Sequence, residues 1–342
     1  MGSTRRLAEF ITATQFDNFP REVVEKTKEV ILDTIGCAFG GYQTEVGVLT
    51  LRFIRSLGGS QQCTVIGSGE RTSCTNAAYA NSRMSNALDA DETSSLPSHH
   101  ANATFGAALA CCELAGGSGK DLITATAIGY DVGARVELSI NTHSERPALM
   151  ISQIFGAAVA AAKALSLDED ATAHAMGLAG AHIPVSSSAK FSEYEHVPLC
   201  KYGDAGWASL TGVSAALSAK LGMTGYDTIL DGGEGLWRMC GASQYDLRMI
   251  ERLGGEWHIL ETALKPWPCC RFTHTPITAF EKIIRENDLR PDQIDNVTVR
   301  VGKLRWGANP QAFSSQDPKG MMDAQFCHPH AIAMIALGIR QG

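Results

Sequence analysis

The feature that most constrains this chain is a series of apolar segments built from small residues. They lie at residues 103–115, 120–132, 151–165, 169–179 and 206–221, and are dominated by Ala, Gly and aliphatic side chains. A helix that is apolar on every side has to be buried, and small side chains let helix axes approach closely. Together the segments predict a tightly packed helical core. Upstream, Pro20 stands where a first helical turn would begin, and Val23, Val24, Val30, Ile31, Ile35 and Ala38 follow at helical spacing. Gly40 and Gly41 are expected to stop that helix. The stretches at 116–117 and near 120 mark the end of one helix and the start of the next.

The pattern changes near Trp257. Residues 257–264 alternate loosely, as a strand would, and Pro266 and Pro268 then break the backbone. Residues 277–287 read as an amphipathic helix. Residues 297–301 alternate strictly and form the best strand pattern in the chain. The expected fold is therefore mostly α: a large all-α helical domain over 1–262 and a smaller α+β domain over 263–342. The apolar run at 331–337 wants partners of its own. No internal repeat or low-complexity tract is present.

At 342 residues the chain can bury a sizeable core. Hydrophobic residues at 44% and charged residues at 19% are the balance of a compact protein rather than a disordered one. The formal net charge is -7 with no basic run, so no nucleic-acid partner is expected. An anionic ligand would need a few placed cations against that overall field. No run of 18 uncharged apolar residues exists, which predicts no membrane span. The first 14 residues are polar and interrupted, unlike a secretory leader, and the ten cysteines include no C-x-x-C pair. Free thiols, a cytoplasmic location and no metal centre are the expectation.

Three clusters carry candidate chemistry. The first runs from Asn86 to His100 and holds Asp89, Asp91, Glu92, Thr93, His99 and His100. It has no helical or strand period and reads as a loop between helices, where sites often lie. An acid beside an imidazole suits general acid/base work; the plainer reading is a solvated acidic loop with capping Ser and Asp. The second cluster is Lys190, then Lys201 just ahead of a Gly-bounded helix start at 203–206. Free backbone N–H groups at a helix start and a lysine can hold an anion, although an ordinary exposed lysine gives the same local sequence. The third is Lys265, Arg271 and His274 around Pro266, Pro268, Cys269 and Cys270. Arg offers a two-pronged fork for a carboxylate and Lys a point charge; a stiffened linker is the alternative.

Taken in order, these clusters resemble the MmgE/PrpD family. Asp89, Thr93 and His99 are similar to its D-x-D-D-T…H-P stretch, Lys201 to its lysine ahead of an Ala-rich helix, 265–274 to its K-P-x-P-x-C-x-x-x-H segment, and 323–326 to a late D-A-x-F/S run. The resemblance covers almost the whole chain. It implies a large helical domain and a smaller α+β lid that frame the active site, homodimers, and no metal or organic cofactor. The chain departs from the pattern at Asn86 and Met150, where members often carry histidine, at Glu92 in place of Asp, and at His100 in place of Pro. It also ends before the segment with which members usually return to the helical domain.

The resemblance implies a cofactor-independent lyase, of dehydratase or decarboxylase type, that moves a proton next to a carboxylate on a small di- or tricarboxylic acid. His99 would be the acid/base, oriented by Asp89. Thr93 would hydrogen-bond a substrate carboxylate. Lys201, Lys265 and Arg271 would hold carboxylates, with Lys190 and His100 further binding candidates and His274 a second proton carrier. Epimerisation of an aminosuccinate-like acid is the alternative, as is an inactive homologue that binds or assembles. An iron–sulfur hydratase would need three converging thiolates.

Overall fold

A computed structural model describes residues 2–94, 99–141, 151–183, 188–191, 193–201, 203–244, 246–300 and 313–339. The architecture is mostly α. The chain divides into two compact units: one of Met1–Ala87, Asp91–Ser186 and Gly203–Leu264, the other of Leu88–Ala90, Ser187–Tyr202 and Lys265–Gly342.

The first unit is a helical assembly of α1 (Ser3–Ala13), α2 (Arg21–Tyr42), α3 (Glu45–Leu57), α4 (Cys74–Ser85), α5 (Ala101–Ala115), α6 (Gly119–Asn141), α7 (Ile151–Ala164) and α8 (Glu169–Ala181). The short α9 (Ser188–Phe191) belongs to the second unit, and α10 (Ala205–Lys220) and α11 (Leu236–Met239) return to the first. Among the described residues the only sheet is a two-stranded antiparallel one, Cys63–Thr64 with Arg71–Thr72, in which Cys63 faces Thr72.

The small residues do what their size allows. One core cluster is largely alanine from α4, α5, α7, α8 and α10, including Ala77, Ala107, Ala157, Ala175 and Ala216. A methyl group added at Gly156 on α7 would sit 2.6 Å from Thr104 Oγ1 of α5 and 3.0 Å from the Gly129 carbonyl of α6. Three helices therefore cross almost backbone to backbone, and only glycine fits there. The helix starts are capped locally: Thr44, Ser73, Asp168 and Asp204 each accept a backbone N–H of the first turn. Gly116 takes the left-handed conformation that ends α5.

Two details of the first unit differ from expectation. The helix begun after Pro20 runs through Gly40 and Gly41 to Tyr42. A Cβ at Gly41 would fall 1.9 Å from the Met84 carbonyl, so this glycine serves a close helix crossing rather than a stop. Residues 257–264 do not form a strand. His258–Glu261 is a turn of 3-10 helix, and only Ala263 keeps strand pairing, as a single bridge to Thr93. Trp257 and Ile259 are buried in the unit's second core cluster, and burial rather than a ladder sets their spacing.

The second unit contains α9, α12 (Arg271–Asn287), α13 (Met321–Phe326) and α14 (His328–Ala336). The apolar stretch expected after 331 finds its partner inside the unit, where Cys269, Ile277 and Ala331 form a small core joined by Trp267 and Ile335. The strand expected at 297–301 is not formed over residues 297–300, which have no ladder partner among the described residues; Val301 lies outside them. Strict alternation encodes two faces but not a neighbour, and Val297 and Val299 stay 41% and 36% exposed.

Candidate active site

The acidic loop of the first unit is buried. Asp91, Glu92 and His100 have no exposed surface and His99 has 8%, which rules out the solvated-loop reading for these four. The loop is pinned by the Thr93–Ala263 bridge, with N–H···O distances of 2.9 and 2.7 Å. Asp91 is the organising carboxylate. It accepts from the Asn86 amide at 3.2 and 3.0 Å and from the Asn102 amide at 2.9 Å, and its Oδ2 lies 3.2 Å from His99 Nδ1. The same Nδ1 is 2.7 Å from the Glu92 carbonyl. A carbonyl only accepts, so Nδ1 carries the proton, and Nε2 is the basic nitrogen of the neutral ring. Gln153 of α7 donates to the His99 carbonyl at 2.7 Å and fixes the backbone from the other side. The result is an imidazole held in one tautomer by a carboxylate, the arrangement a general acid/base needs.

The orienting carboxylate is therefore Asp91, two residues beyond the one expected. Thr93 places its Oγ1 in buried surroundings without a hydrogen-bond partner among the described residues. His100 is enclosed rather than presented: its ring stacks edge-on to Tyr130 at 5.0 Å, Nε2 stands 3.5 Å from Glu137, and burial depresses it to about 3, so it is neutral. That environment suits a core histidine better than a carboxylate binder.

Glu92 accepts the Ala101 N–H at 2.6 Å at the start of α5, yet burial pushes its carboxyl up to about 7, only partly opposed by nearby His99. Its folded value lies above the usual 4.5. Stability should be greatest at pH below the usual value and be lost as pH rises to about 7. At about 1.4 kcal/mol per unit, the ionised form costs on the order of 3 kcal/mol at pH 8. Glu92→Gln is expected to be more stable than wild type at pH 8 and close to it at pH 5. Denaturant midpoints at the two pH values check this, and an identical pH response in both proteins would contradict it.

The second unit builds a separate cluster of charges. Lys201 Nζ lies 3.0 Å from Asp89 Oδ1, while Lys265 Nζ lies 2.8 Å from Oδ2 and donates to the Asp89 carbonyl at 2.6 Å. All three side chains are essentially unexposed. Asp89 and Lys201 both take left-handed backbone conformations, φ 52 and 51, an uncommon state for side chains other than Gly, Asn and Asp. Strain of that kind is kept where surrounding structure over-determines it, often at functional sites. Two ammoniums are thus brought to one carboxylate, and an ammonium is a group that an anionic ligand requires.

The remaining expected residues fall around or outside this trio. Burial lifts the Cys269 and Cys270 thiols to about 12, so they stay protonated rather than act as ligands or nucleophiles. His274 is half-buried on the first turns of α12; burial lowers it, Nε2 sits 3.1 Å from the Cys269 carbonyl, and Trp267 stacks edge-on at 5.3 Å. Arg271 opens α12 with its guanidinium 6.0 Å from the Phe272 ring centre. It also lines a groove of about 510 Å³ with Phe272, Phe280 and residues 297–300. Lys190 is exposed and paired with Glu193 at 2.6 Å, an ordinary surface lysine. The start of α10 is not open to an anion, because the Asp204 side chain occupies the Gly206 N–H at 2.8 Å. Met150 lies outside the described residues. Among the described residues no group of three or more His, Cys, Asp or Glu can hold a metal, and no helix is long and apolar enough to cross a membrane.

Residue types alone did not reveal Asn86, Asn102 and Gln153 as supports. An amide in a helical segment carries no signal of what it faces.

A sequence model of the MmgE/PrpD N-terminal domain matches residues 5–247, and one of the MmgE/PrpD C-terminal domain matches residues 267–341. The chain belongs to the MmgE/PrpD family. Within that family it is similar to cis-aconitate decarboxylase of Aspergillus terreus (strain NIH 2624 / FGSC A1156), 26% identical over 301 residues that cover 83% of this chain and 60% of that protein. It is also similar to cis-aconitate decarboxylase of Homo sapiens, 24% identical over 335 residues, with 92% and 68% covered. A cis-aconitate decarboxylase-like protein of Aspergillus oryzae is 26% identical over 322 residues, with 86% and 64% covered. The chain thus spans 60% of the length of the Aspergillus terreus relatives it matches.

Proposed function

We propose that this MmgE/PrpD protein is a lyase that decarboxylates or dehydrates a small di- or tricarboxylic acid, using only its own side chains. The observation that carries the reading is the buried pair of lysines that meet on Asp89. The oriented His99–Asp91 pair supplies the proton chemistry. The names of the relatives, cis-aconitate decarboxylases, point to the substrate class.

In a decarboxylation the C–C bond to the leaving carboxylate breaks, and its electron pair moves into the adjoining unsaturated carboxylate. Ammonium groups stabilise the negative charge that develops there, and such fixed charges act strongly in a site without water. A proton from the His99 imidazolium then closes the carbon, and Asp91 stabilises that imidazolium. Thr93 Oγ1 is assigned to a substrate carboxylate, and His274 to proton return. Positioning of a multiply charged acid at several points adds the advantage of a unimolecular reaction.

The test is incubation with cis-aconitate, citrate and aminosuccinate in deuterated water, followed by CO2 release and NMR. Release of CO2 with deuterium on the product carbon is expected for the unsaturated acid, or loss of water from a hydroxylated one. Deuterium exchange with neither loss would move the assignment to an epimerase or isomerase. Inertness toward the whole panel would overturn the enzymatic reading.

A further inference from the structure

Asp323 has no role in the chemistry above, yet it is one of the most heavily used carboxylates of the second unit. Its side chain is 6% exposed. Oδ1 accepts the Val197 N–H at 2.6 Å; Oδ2 accepts the Lys319 N–H at 2.9 Å and lies 2.8 Å from His196 Nδ1. The Val197 N–H and the His196 imidazole come from one segment and tie this carboxylate to it, while the Lys319 N–H, four residues before Asp323, holds the carboxylate from its own side. The 196–197 segment closes four residues later on Lys201, whose N–H returns to the Pro198 carbonyl at 2.8 Å.

The same short helix also holds the other lysine's segment. The Gln325 carbonyl of α13 accepts the Cys270 N–H at 2.8 Å, five residues beyond Lys265. The Phe326 ring packs edge-on against Phe191 at 5.2 Å, which fixes α9 ahead of the Lys201 segment. So α13 grips both chain segments that bring an ammonium to Asp89. Lys201 needs such a grip, because its left-handed backbone is not one the residue adopts unaided.

We infer that Asp323 is a positioning residue that sets the Lys201 ammonium by clamping the backbone at 196–197, so that it controls carboxylate binding and not proton transfer. The inference rests on the reading that Lys201 and Lys265 hold substrate carboxylates.

The experiment measures citrate binding by calorimetry, KM and kcat for cis-aconitate, and thermal unfolding. It compares wild type with Asp323→Ala, Asp323→Asn, Asp323→Glu and Lys201→Met. Displacement of a binding group by an ångström can cost on the order of a hundredfold. Asp323→Ala is expected to weaken citrate binding and raise KM by about tenfold or more, with kcat changed far less. Asp323→Glu, which keeps the charge, should recover much of that loss. If Asp323→Ala does not fold, Asp323→Asn serves, since its amide nitrogen faces donors where the carboxylate had an acceptor. Unchanged citrate affinity in a folded Asp323→Ala or Asp323→Asn protein, while Lys201→Met binds weakly, overturns the positioning role. A fall in kcat with KM unchanged overturns it too. If Lys201→Met itself binds citrate normally, the failure lies in the lysine reading.

Discussion

Asp89→Asn is expected to destabilise the second unit by about 3–5 kcal/mol, the range found when one partner of a buried ion pair is removed. The change is close to isosteric, and Asn tolerates the left-handed backbone that Asp89 adopts, so conformation contributes little. What is lost is a carboxylate charge that Lys201 and Lys265 share, at 3.0 and 2.8 Å, in surroundings where neither ammonium meets water. An unpaired buried ammonium either stays charged at great cost or gives up its proton. Both outcomes weaken the fold at neutral pH, and both remove the arrangement proposed to hold substrate. Total stabilities of about 5–15 kcal/mol make this a large fraction. Thermal or denaturant unfolding reads the loss, with amide exchange faster over 193–201 and 265–270. A variant as stable as wild type, with exchange unaltered there, would show that the trio is not held together by charge.

His99→Ala is expected to leave the fold intact and to lower turnover by about 10²–10⁴-fold, the usual contribution of a positioned acid/base. Asp91 keeps its hydrogen bonds from Asn86 and Asn102 when the imidazole is removed, so its buried charge stays solvated by amides. Gln153 bonds the backbone carbonyl of residue 99, which the substitution preserves. The loss should therefore appear in kcat with thermal stability changed little. Steady-state CO2 release from cis-aconitate, read beside a melting curve, checks it. Full turnover in a folded His99→Ala protein would remove the imidazole from the mechanism.

Much of the helical core was legible because period and composition agreed. α5, α7, α8 and α10 start and end within a few residues of where Ala-rich apolar runs and Gly116 place them; α6 starts where expected but runs on to Asn141, well past the apolar run at 120–132. α4 was not legible. It buries Asn76, Asn81, Ser82, Arg83 and Ser85, polar residues that give no apolar stripe and that only their neighbours justify. The 297–301 pattern misled for the opposite reason: alternation was perfect, but over 297–300 no partner strand is present among the described residues.

The site divides the same way. Amino-acid types and their order marked out His99, Thr93, Asp89, Lys201 and Lys265, because acids, imidazole and ammoniums are the groups proton transfer on an anion requires. Pairings were beyond a linear reading. Asp89 and Asp91 are two residues apart and chemically the same, yet a left-handed turn gives one to a pair of lysines and the other to an imidazole. Likewise His99 and His100 are neighbours, but one ring is held against Asp91 and the other sealed in the core. The sequence alone determined that the protein is a buried helical assembly with these reactive groups, since periodicity and side-chain chemistry are local properties. Which carboxylate serves which cation, and which acid stays protonated, was decided only by tertiary structure, because burial and hydrogen-bond partners come from residues distant in the chain.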